Sequence, residues 1–471
     1  MRRLLFLATL LLLVASPLAG EGPERPGAAE GSGTQRGEGP LGLFPQGPRL
    51  TPEQLSALTD RLAVRVSALR GLPLSGPLKK DVHTPAEVRQ LFLAKLDKDW
   101  PPEQVARWTE AYQALGLLPA GVDLRAVLTA VMTEQVAGAY DPDTKTMLLI
   151  EGMPTALVQP VLVHELTHAA QDAHFHLESL PWEQHENDDL ALAVQALFEG
   201  DATAVMFDFV AGQDTSAITD LDGLLRSGPE LFGSPQLALA PQAIRELLTF
   251  PYVAGLRLVN ELRRRGGWQR VNVAYQDFPL STEQVLHPEK FLAGEDRPQR
   301  VLLPEALGRA VTADLIQENV LGEFGLRLLL EEYTTTEEAF QAAAGWGGDC
   351  FRVWRREAGD GGASWLVLLV TTWDSAADAR EFFAAYSRLV GNKYQKEEEE
   401  PTGDAARRLW RSERGLVEVV VRGTDVLVLE GFRAEERERL WQALSGYRKE
   451  AFRWQWLQPA AAPAGSSAAG K

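Results

Sequence analysis

The segment VLVHELTHAAQD at residues 161–172 combines apolar residues with two histidines four positions apart. Helical residues four apart share a face, so His164 and His168 can direct both imidazoles to one metal ion. Glu165 is rotated by about 100° from His164, which places its carboxylate beside such an ion as a base for water. Because the helix is otherwise apolar it should be buried, and buried imidazoles need partners. We predict a zinc site here; a chance occurrence of HExxH is the alternative.

A catalytic zinc ion usually takes three protein ligands, and the chain offers two candidates for the third. Glu199 lies in LALAVQALFEGDAT at residues 190–203, which is apolar almost all round and predicts a buried helix. A buried carboxylate is costly unless it is paired or coordinates a metal, and a pair with Arg257 is the alternative. Gly200 should let this helix approach the histidine helix closely. Glu199 is the preferred ligand.

His174 is the second candidate, because His164, His168 and His174 have the spacing of HExxHxxGxxH. That arrangement requires the chain to leave the helix at the glycine position. Gln171 stands there instead and favours a continuing helix. We therefore assign His174, together with His176 and His185, to the surroundings of the site or to the surface of the following loop.

The strings at residues 164–172 and 199–203 resemble the gluzincin class of zinc metallopeptidases, and in particular a group of exported bacterial proteins. In gluzincins a glutamate on the next helix completes the HExxH site. The resemblance covers residues 135–292, about a third of the chain, and includes GGW at 266–268 and STEQVLHP at 281–288. It implies a zincin-like helical domain, zinc bound by His164, His168 and Glu199, and Glu165 as general base.

The resemblance also implies an edge strand that lies over the cleft and pairs with an extended peptide, and Met147–Ile150 matches that role. One position departs from the better-known members, which have an aspartate four residues after the ligand glutamate. Thr203 stands at that position here. Asp172 and Asp201 are the candidates for orienting a ligand histidine in its place.

Peptide hydrolysis also needs a donor to the tetrahedral oxyanion, usually a histidine or tyrosine opposite the zinc. His287 and Tyr252, both downstream of the ligands, are the candidates. An ordinary loop histidine is an equal alternative for His287, and a structural role is favoured for Tyr252.

The N-terminus predicts export. Residues 1–20 contain a positively charged n-region, an apolar h-region and small residues at a cleavage site, which is typical of a secretory signal. A membrane anchor is the alternative, but the run is shorter than the roughly 20 residues that span a bilayer. We expect a secreted or periplasmic protein without an internal disulfide, because Cys350 is the only cysteine.

The charge limits the partners. The chain has 47 Lys+Arg against 65 Asp+Glu, a formal charge of −18, which argues against a non-specific nucleic-acid binder. No later segment reads as long and apolar enough to cross a membrane, so we expect no stable membrane insertion after signal cleavage. The expected partner is a peptide or protein substrate.

The predicted fold class is α+β, mainly α. A flexible leader at 21–48 precedes a zincin-like metallopeptidase domain at 49–300, in which an edge β-hairpin comes before the histidine helix. An α+β module at 301–450 and a disordered tail at 451–471 follow. The sequence therefore predicts an exported zinc-dependent metallopeptidase. The alternative is a secreted binding or structural protein that contains zinc but lacks peptidase activity.

Overall fold

The computed structural model describes residues 49–453 apart from positions 75, 135–137, 153–154, 178–186, 219–234, 295, 358–362, 395–397 and 401. The predicted signal at 1–20, the predicted leader at 21–48, His185 and nearly all of the predicted tail lie outside the described residues. Helices and strands both occur, with more residues in helices, so the α+β class is confirmed.

The N-terminal part of the described residues contains four helices, and two of them begin at a capping box. Thr51 and Thr84 each form a capping box, in which the threonine and the residue three positions on bond reciprocally. Gly116 ends the third helix in the left-handed region, with φ at 97°. These helices are α1 (Pro52–Arg70), α2 (Pro85–Asp99), α3 (Pro102–Leu115) and α4 (Leu124–Glu134).

A three-stranded sheet of order β1-β3-β2 consists of β1 (Lys79–His83), β2 (Gly138–Asp141) and β3 (Thr146–Ile150). The predicted hairpin is confirmed, since β2 and β3 pair antiparallel. The assignment of Met147–Ile150 as the edge strand is wrong, because β1 pairs in parallel with the other side of β3. Among the described residues β2 pairs with β3 alone, so β2 is the edge strand of the hairpin.

Six further helices are described in the helical half of the chain. Residues 164–168 lie on the first of these and Glu199 on the second, as predicted. The six are α5 (Thr155–Phe175), α6 (Asp188–Ala211), α7 (Pro235–Leu239), α8 (Gln242–Ala274), α9 (Thr282–Leu286) and α10 (Pro288–Ala293).

Helix α6 lies between α5 and α8. The close approach expected at Gly200 involves α8 rather than the histidine helix, because a Cβ atom on Gly200 would overlap the backbone of Gly255. Helix α8 is interrupted at Gly266 and Gly267, which have non-helical φ and ψ.

Helix α6 is long and apolar enough to cross a membrane by length and composition alone, which corrects the expectation that no such segment follows the N-terminus. Within the described structure 94% of its apolar window is buried. Burial in protein therefore accounts for an apolar composition all round the helix.

The C-terminal part is built on a seven-stranded antiparallel sheet of order β5-β6-β7-β11-β10-β9-β8. Its strands are β5 (Asp314–Asn319), β6 (Trp346–Glu357), β7 (Ala363–Trp373), β8 (Glu398–Glu400), β9 (Arg407–Ser412), β10 (Gly415–Arg422) and β11 (Asp425–Phe432). A separate antiparallel pair joins β4 (Gln299–Leu302) to β12 (Arg448–Ala451). The helices here are α11 (Ala306–Ala310), α12 (Gly322–Glu331), α13 (Thr336–Ala343), α14 (Ala376–Lys393) and α15 (Arg437–Leu444).

One apolar core runs through both parts of the described chain. Buried residues of α6 and α8 belong to the same cluster as those of α12, α14 and the large sheet. The rings of Phe250 and Phe324, with centroids 4.1 Å apart, join the two parts directly. Trp346, Trp354 and Trp373 are buried and pack in the apolar clusters of the C-terminal part.

Candidate metal centre

Helices α5 and α6 bring the three predicted ligands together. His164 Nε2 lies 3.1 Å from His168 Nε2 and 3.2 Å from Glu199 Oε2. His168 Nε2 lies 3.5 Å from the same carboxylate oxygen. All three side chains are buried. The four-residue spacing places both imidazoles on one face of α5, and α6 packs against that helix with Glu199 facing them.

This triangle of donor atoms has the dimensions of a zinc site. Ligand atoms at the corners of a tetrahedron with bonds of about 2.0–2.1 Å are about 3.3–3.4 Å apart. The three sides here measure 3.1, 3.2 and 3.5 Å. Imidazole nitrogen and carboxylate oxygen are also common zinc ligands. The residues therefore fit the ion that the sequence predicts.

Burial and charge have opposing effects on the pKa values of the triangle. Burial lowers the pKa of His164. Burial acts in the same direction on His168, but the charge of Glu199 and its hydrogen bond outweigh it and raise the pKa of His168 to about 9. Burial favours a protonated Glu199, yet the two histidines hold its pKa below the ordinary value. A proton held here occupies the place that a cation would take.

Several buried polar atoms near the triangle have no hydrogen-bond partner in the part of the chain that the structure describes. Unsatisfied buried groups are uncommon in folded proteins, so their concentration here is a second indication of a site for an ion or water. Gln195, Glu199 and Thr203 are four residues apart and share a face of α6. The atoms are His164 Nδ1, Glu165 Oε1, Glu199 Oε1, Gln195 Oε1 and Thr203 Oγ1.

Glu165 lies beside the triangle and is held by the edge strand. Its Oε2 accepts the backbone N–H of Tyr140 on β2 at 2.8 Å, while its Oε1 is one of the unpartnered atoms. Burial raises the pKa of Glu165 to about 8, against the opposing effects of His168 and the Tyr140 N–H. A carboxylate with a pKa near neutrality can both accept and return a proton.

Tyr252 on α8 also lies at the centre. Its ring centroid is 6.1 Å from that of His164. Burial raises the pKa of Tyr252 well above its usual value, and the charges of Glu199 and Glu165 raise it further. The phenol therefore stays protonated and can donate a hydrogen bond; its burial in an apolar cluster is also compatible with the structural role favoured from the sequence.

His287 lies elsewhere, which corrects its interpretation as the oxyanion donor. Its Nε2 is 2.8 Å from Glu323 Oε1, and it follows α9, where the Thr282 hydroxyl donates to Asp189 at 2.5 Å. Asp189 opens α6, and the helix rises about 15 Å between Asp189 and Glu199. Sequence patterns do not indicate this separation, because His287 is distant in the chain from every predicted ligand.

The alternatives considered for the ligand set are placed outside the triangle. Helix α5 continues through Gln171 to Phe175, as predicted. His174 is therefore exposed, with its Nε2 2.9 Å from the carbonyl oxygen of Pro73. Arg257 is exposed on α8, whereas Glu199 is buried.

Gln171 contacts His168, one of the predicted ligands, and sequence reasoning did not identify this partner. Its Oε1 lies 2.7 Å from His168 Nδ1. The two aspartates expected to orient a histidine have other partners: the Tyr140 hydroxyl donates to Asp172 at 2.7 Å, and Arg70 donates to Asp201 at 2.6 Å. The spacing of three residues between His168 and Gln171 on one helix face was the available signal.

The centre is closed to solvent. The exposed fractions are 1% for His164 and 0% for Glu165, His168 and Glu199. Tyr252 packs in one cluster with Leu128 and Val131 of α4 and with Ile244 of α8. Helices α4 and α8 therefore contribute to the cover on the side of Tyr252.

Comparison with known proteins gives a match to a family model in the C-terminal part. Residues 310–441 match a family model described as a domain of unknown function, DUF8575. This region lies within the predicted α+β module and does not include the metal centre. No curated protein and no solved structure matches the chain.

Proposed function

We propose that the chain is a zinc-dependent metallopeptidase of the gluzincin type, with a zincin-like arrangement of α5, α6 and the β2–β3 hairpin. The observation that carries the proposal is the buried triangle of His164, His168 and Glu199 with Glu165 beside it. A zinc ion held there supplies a Lewis acid, which lowers the pKa of water and polarises a carbonyl group. The proposal that the protein is exported is based on the sequence of residues 1–20.

The protein's own groups supply the proton transfers and the orientation. Glu165 Oε1 accepts a proton from water while Oε2 stays bonded to the Tyr140 N–H, and the carboxyl group then returns the proton to the leaving amine. The Tyr252 hydroxyl donates to the developing oxyanion. The Tyr140 N–H donates to Glu165, and within the described ranges β2 pairs with β3 alone, so the other edge of β2 lies next to the base. A peptide extended along that edge would present its bond to Glu165.

The test compares zinc content and casein cleavage in the full chain and three variants. We expect a single equivalent of zinc in the wild type, its loss in Glu199→Ala, and its retention in Glu165→Gln. Glu165→Gln should lower cleavage by about 10²–10⁴-fold, the usual contribution of a general base. His174→Ala is the matched control and should keep both zinc and activity. Wild-type protein without zinc would refute the proposal.

The closed centre favours a second candidate, a zinc-containing binding or structural protein. Because all three ligands and Glu165 are buried, an ion held there could stabilise the helices without reaching a substrate. This candidate predicts bound zinc, no cleavage of casein, and a fall in melting temperature on chelation. The same metal and cleavage measurements separate the two candidates.

A further inference from the structure

Gln171 connects one proposed ligand to the helix that carries another. Its Oε1 lies 2.7 Å from His168 Nδ1, and its Nε2 donates to the backbone carbonyl of Phe198 at 3.0 Å. Phe198 directly precedes Glu199, and its ring meets the His168 imidazole edge-on with centroids 5.6 Å apart. The Gln171 side chain is fully buried, so bulk water does not compete for these contacts.

These contacts determine the tautomer of His168. A backbone carbonyl only accepts, so Gln171 must direct its NH₂ group to Phe198 and its oxygen to the imidazole. The oxygen in turn requires a proton on His168 Nδ1, so in the neutral imidazole that binds a metal the lone pair of Nε2 faces the triangle. His164 differs, since its Nδ1 has no partner among the described residues.

We propose that Gln171 is a positioning residue for the metal centre: it fixes the tautomer and orientation of His168 and aligns that imidazole with Glu199. The inference rests on the zinc site of the proposed function. Carboxylates often serve as such partners, but Glu165 and Glu199 already place two carboxylates in this buried site. A neutral amide orients His168 without adding a third negative charge to be compensated.

The test is a competition titration of the full chain with zinc and a chromophoric chelator. Gln171→Met keeps the length of the side chain but removes both hydrogen bonds, and should weaken zinc binding about 10–100-fold. Gln171→Glu should also weaken it, because its second oxygen would face the Phe198 carbonyl, an acceptor against an acceptor.

Gln284→Met is the matched control. Gln284 is also buried and bridges two backbone groups, accepting the N–H of Leu280 at 2.8 Å and donating to the carbonyl of Asp296 at 2.5 Å. It lies on α9, away from the triangle, so its variant should lose stability and keep the wild-type zinc affinity. If Gln171→Met binds zinc as tightly as the wild type, the positioning role is refuted while the zinc site stands.

A second measurement uses only the wild-type chain and so does not depend on whether a variant folds. In zinc-loaded wild-type chain labelled with ¹⁵N-histidine, long-range ¹H–¹⁵N spectra should show His168 protonated at Nδ1 and ligating through Nε2. An unprotonated Nδ1 would overturn the inference and leave the proposed function intact. A wild-type chain that binds no zinc at all would overturn both.

Discussion

At the scale of single residues, Asp201 shows what stabilises the structure around Glu199, the proposed third ligand. It accepts from Arg70 Nε at 2.6 Å and from the Tyr275 hydroxyl at 2.9 Å. Arg70 and Asp201 are both fully buried, and Arg70 also lies over the Trp268 ring at 4.5 Å. Asp201→Ala leaves the Arg70 charge without its carboxylate, so we expect a loss of about 3–5 kcal/mol in the free energy of unfolding, measured in urea.

Asp60→Ala is the control for this prediction. Asp60 pairs with Lys80 at 2.6 Å, but its side chain is largely exposed. An exposed pair contributes about 0–1 kcal/mol, so this variant should unfold almost as the wild type does. Equal losses in the two variants would show that burial does not set the contribution of the Arg70–Asp201 pair.

Asp349 makes stability depend on pH. Burial raises its pKa to about 6, although the N–H groups of Leu321 and Gly322 and the Trp346 indole donate to it. The unfolded value is about 3.9, so between about pH 4 and 6 the folded chain binds more protons than the unfolded chain. The free energy of unfolding therefore falls as pH rises through this range.

In Asp349→Asn this contribution disappears. The difference in unfolding free energy between about pH 4 and pH 7 should change by about 2–3 kcal/mol relative to the wild type, at about 1.4 kcal/mol per pKa unit. Urea denaturation of both proteins across this range measures it. Parallel pH profiles of the two proteins would contradict the prediction.

Some residues of the proposed metal centre could be predicted from nearby sequence, whereas others depend on contacts that the sequence does not show. The placement of His164, Glu165 and His168 follows from helical spacing alone, and the burial of Glu199 follows from the apolar residues around it. The contact of Gln171 with His168 also lies within one helix, at a spacing of three residues. The bond of Gln171 to Phe198 and the position of Tyr252 depend on contacts between helices, which spacing within one helix does not reveal. His287 was misplaced for the same reason.

At the scale of elements, the contact of α6 with α8 positions both Glu199 and Tyr252. The contact depends on Gly200 and Gly255, since a Cβ atom on either would overlap the backbone of the facing helix. Gly200→Ala must therefore separate the helices. We expect a loss of about 1–3 kcal/mol or more in stability, as for an overpacked core, together with weaker zinc binding because Glu199 moves.

Gly308→Ala is the matched control, since Gly308 is also helical. A Cβ atom there meets nothing within 4 Å. Alanine is the better helix former by about 1 kcal/mol, so this variant should be unchanged or slightly more stable, with wild-type zinc affinity. Thermal unfolding and zinc titration of both variants test the prediction. A Gly200→Ala chain as stable as Gly308→Ala would contradict it.

Elements were predictable where their signals are local. The capping boxes at Thr51 and Thr84 mark helix starts within a few residues. Strand β1 has the sequence KKDVH and lacks the alternating apolar pattern of a half-buried strand. Its pairing with β3 joins residues far apart in the chain, so neither β1 nor the central position of β3 could be read from the hairpin.

At the scale of the whole molecule, the helical half and the sheet share one core. Strand β4 contains residue 300, the predicted boundary between the two domains, and pairs with β12 near the end of the described residues. Composition and periodicity along the chain do not show such contacts between distant segments. The two parts should therefore unfold together.

Lys393 is the clearest polar link between the two parts. From the end of α14 its ammonium donates to the carbonyls of Ala114 and Leu115 at the end of α3, at 3.0 and 2.9 Å. It also pairs with Glu430 of β11 at 2.6 Å. Burial lowers the pKa of Lys393, against the opposing charge of Glu430. The ammonium thus joins the C-terminal end of a helix to a buried carboxylate.

Lys393→Met leaves Glu430 buried without its cation, so we expect a loss of about 3–5 kcal/mol in the free energy of unfolding. Hydrogen exchange should rise first in α3, whose terminal carbonyls lose their donor. In the double variant Lys393→Met/Glu430→Gln the buried charge is gone. The hydroxyls of Tyr386 and Tyr394 donate to different oxygens of Glu430 in the wild type, so in the variant one can donate to the amide oxygen while the other accepts from the amide NH₂. Part of the loss should therefore return. A double variant as unstable as the sum of the two single variants would show that Lys393 and Glu430 act independently.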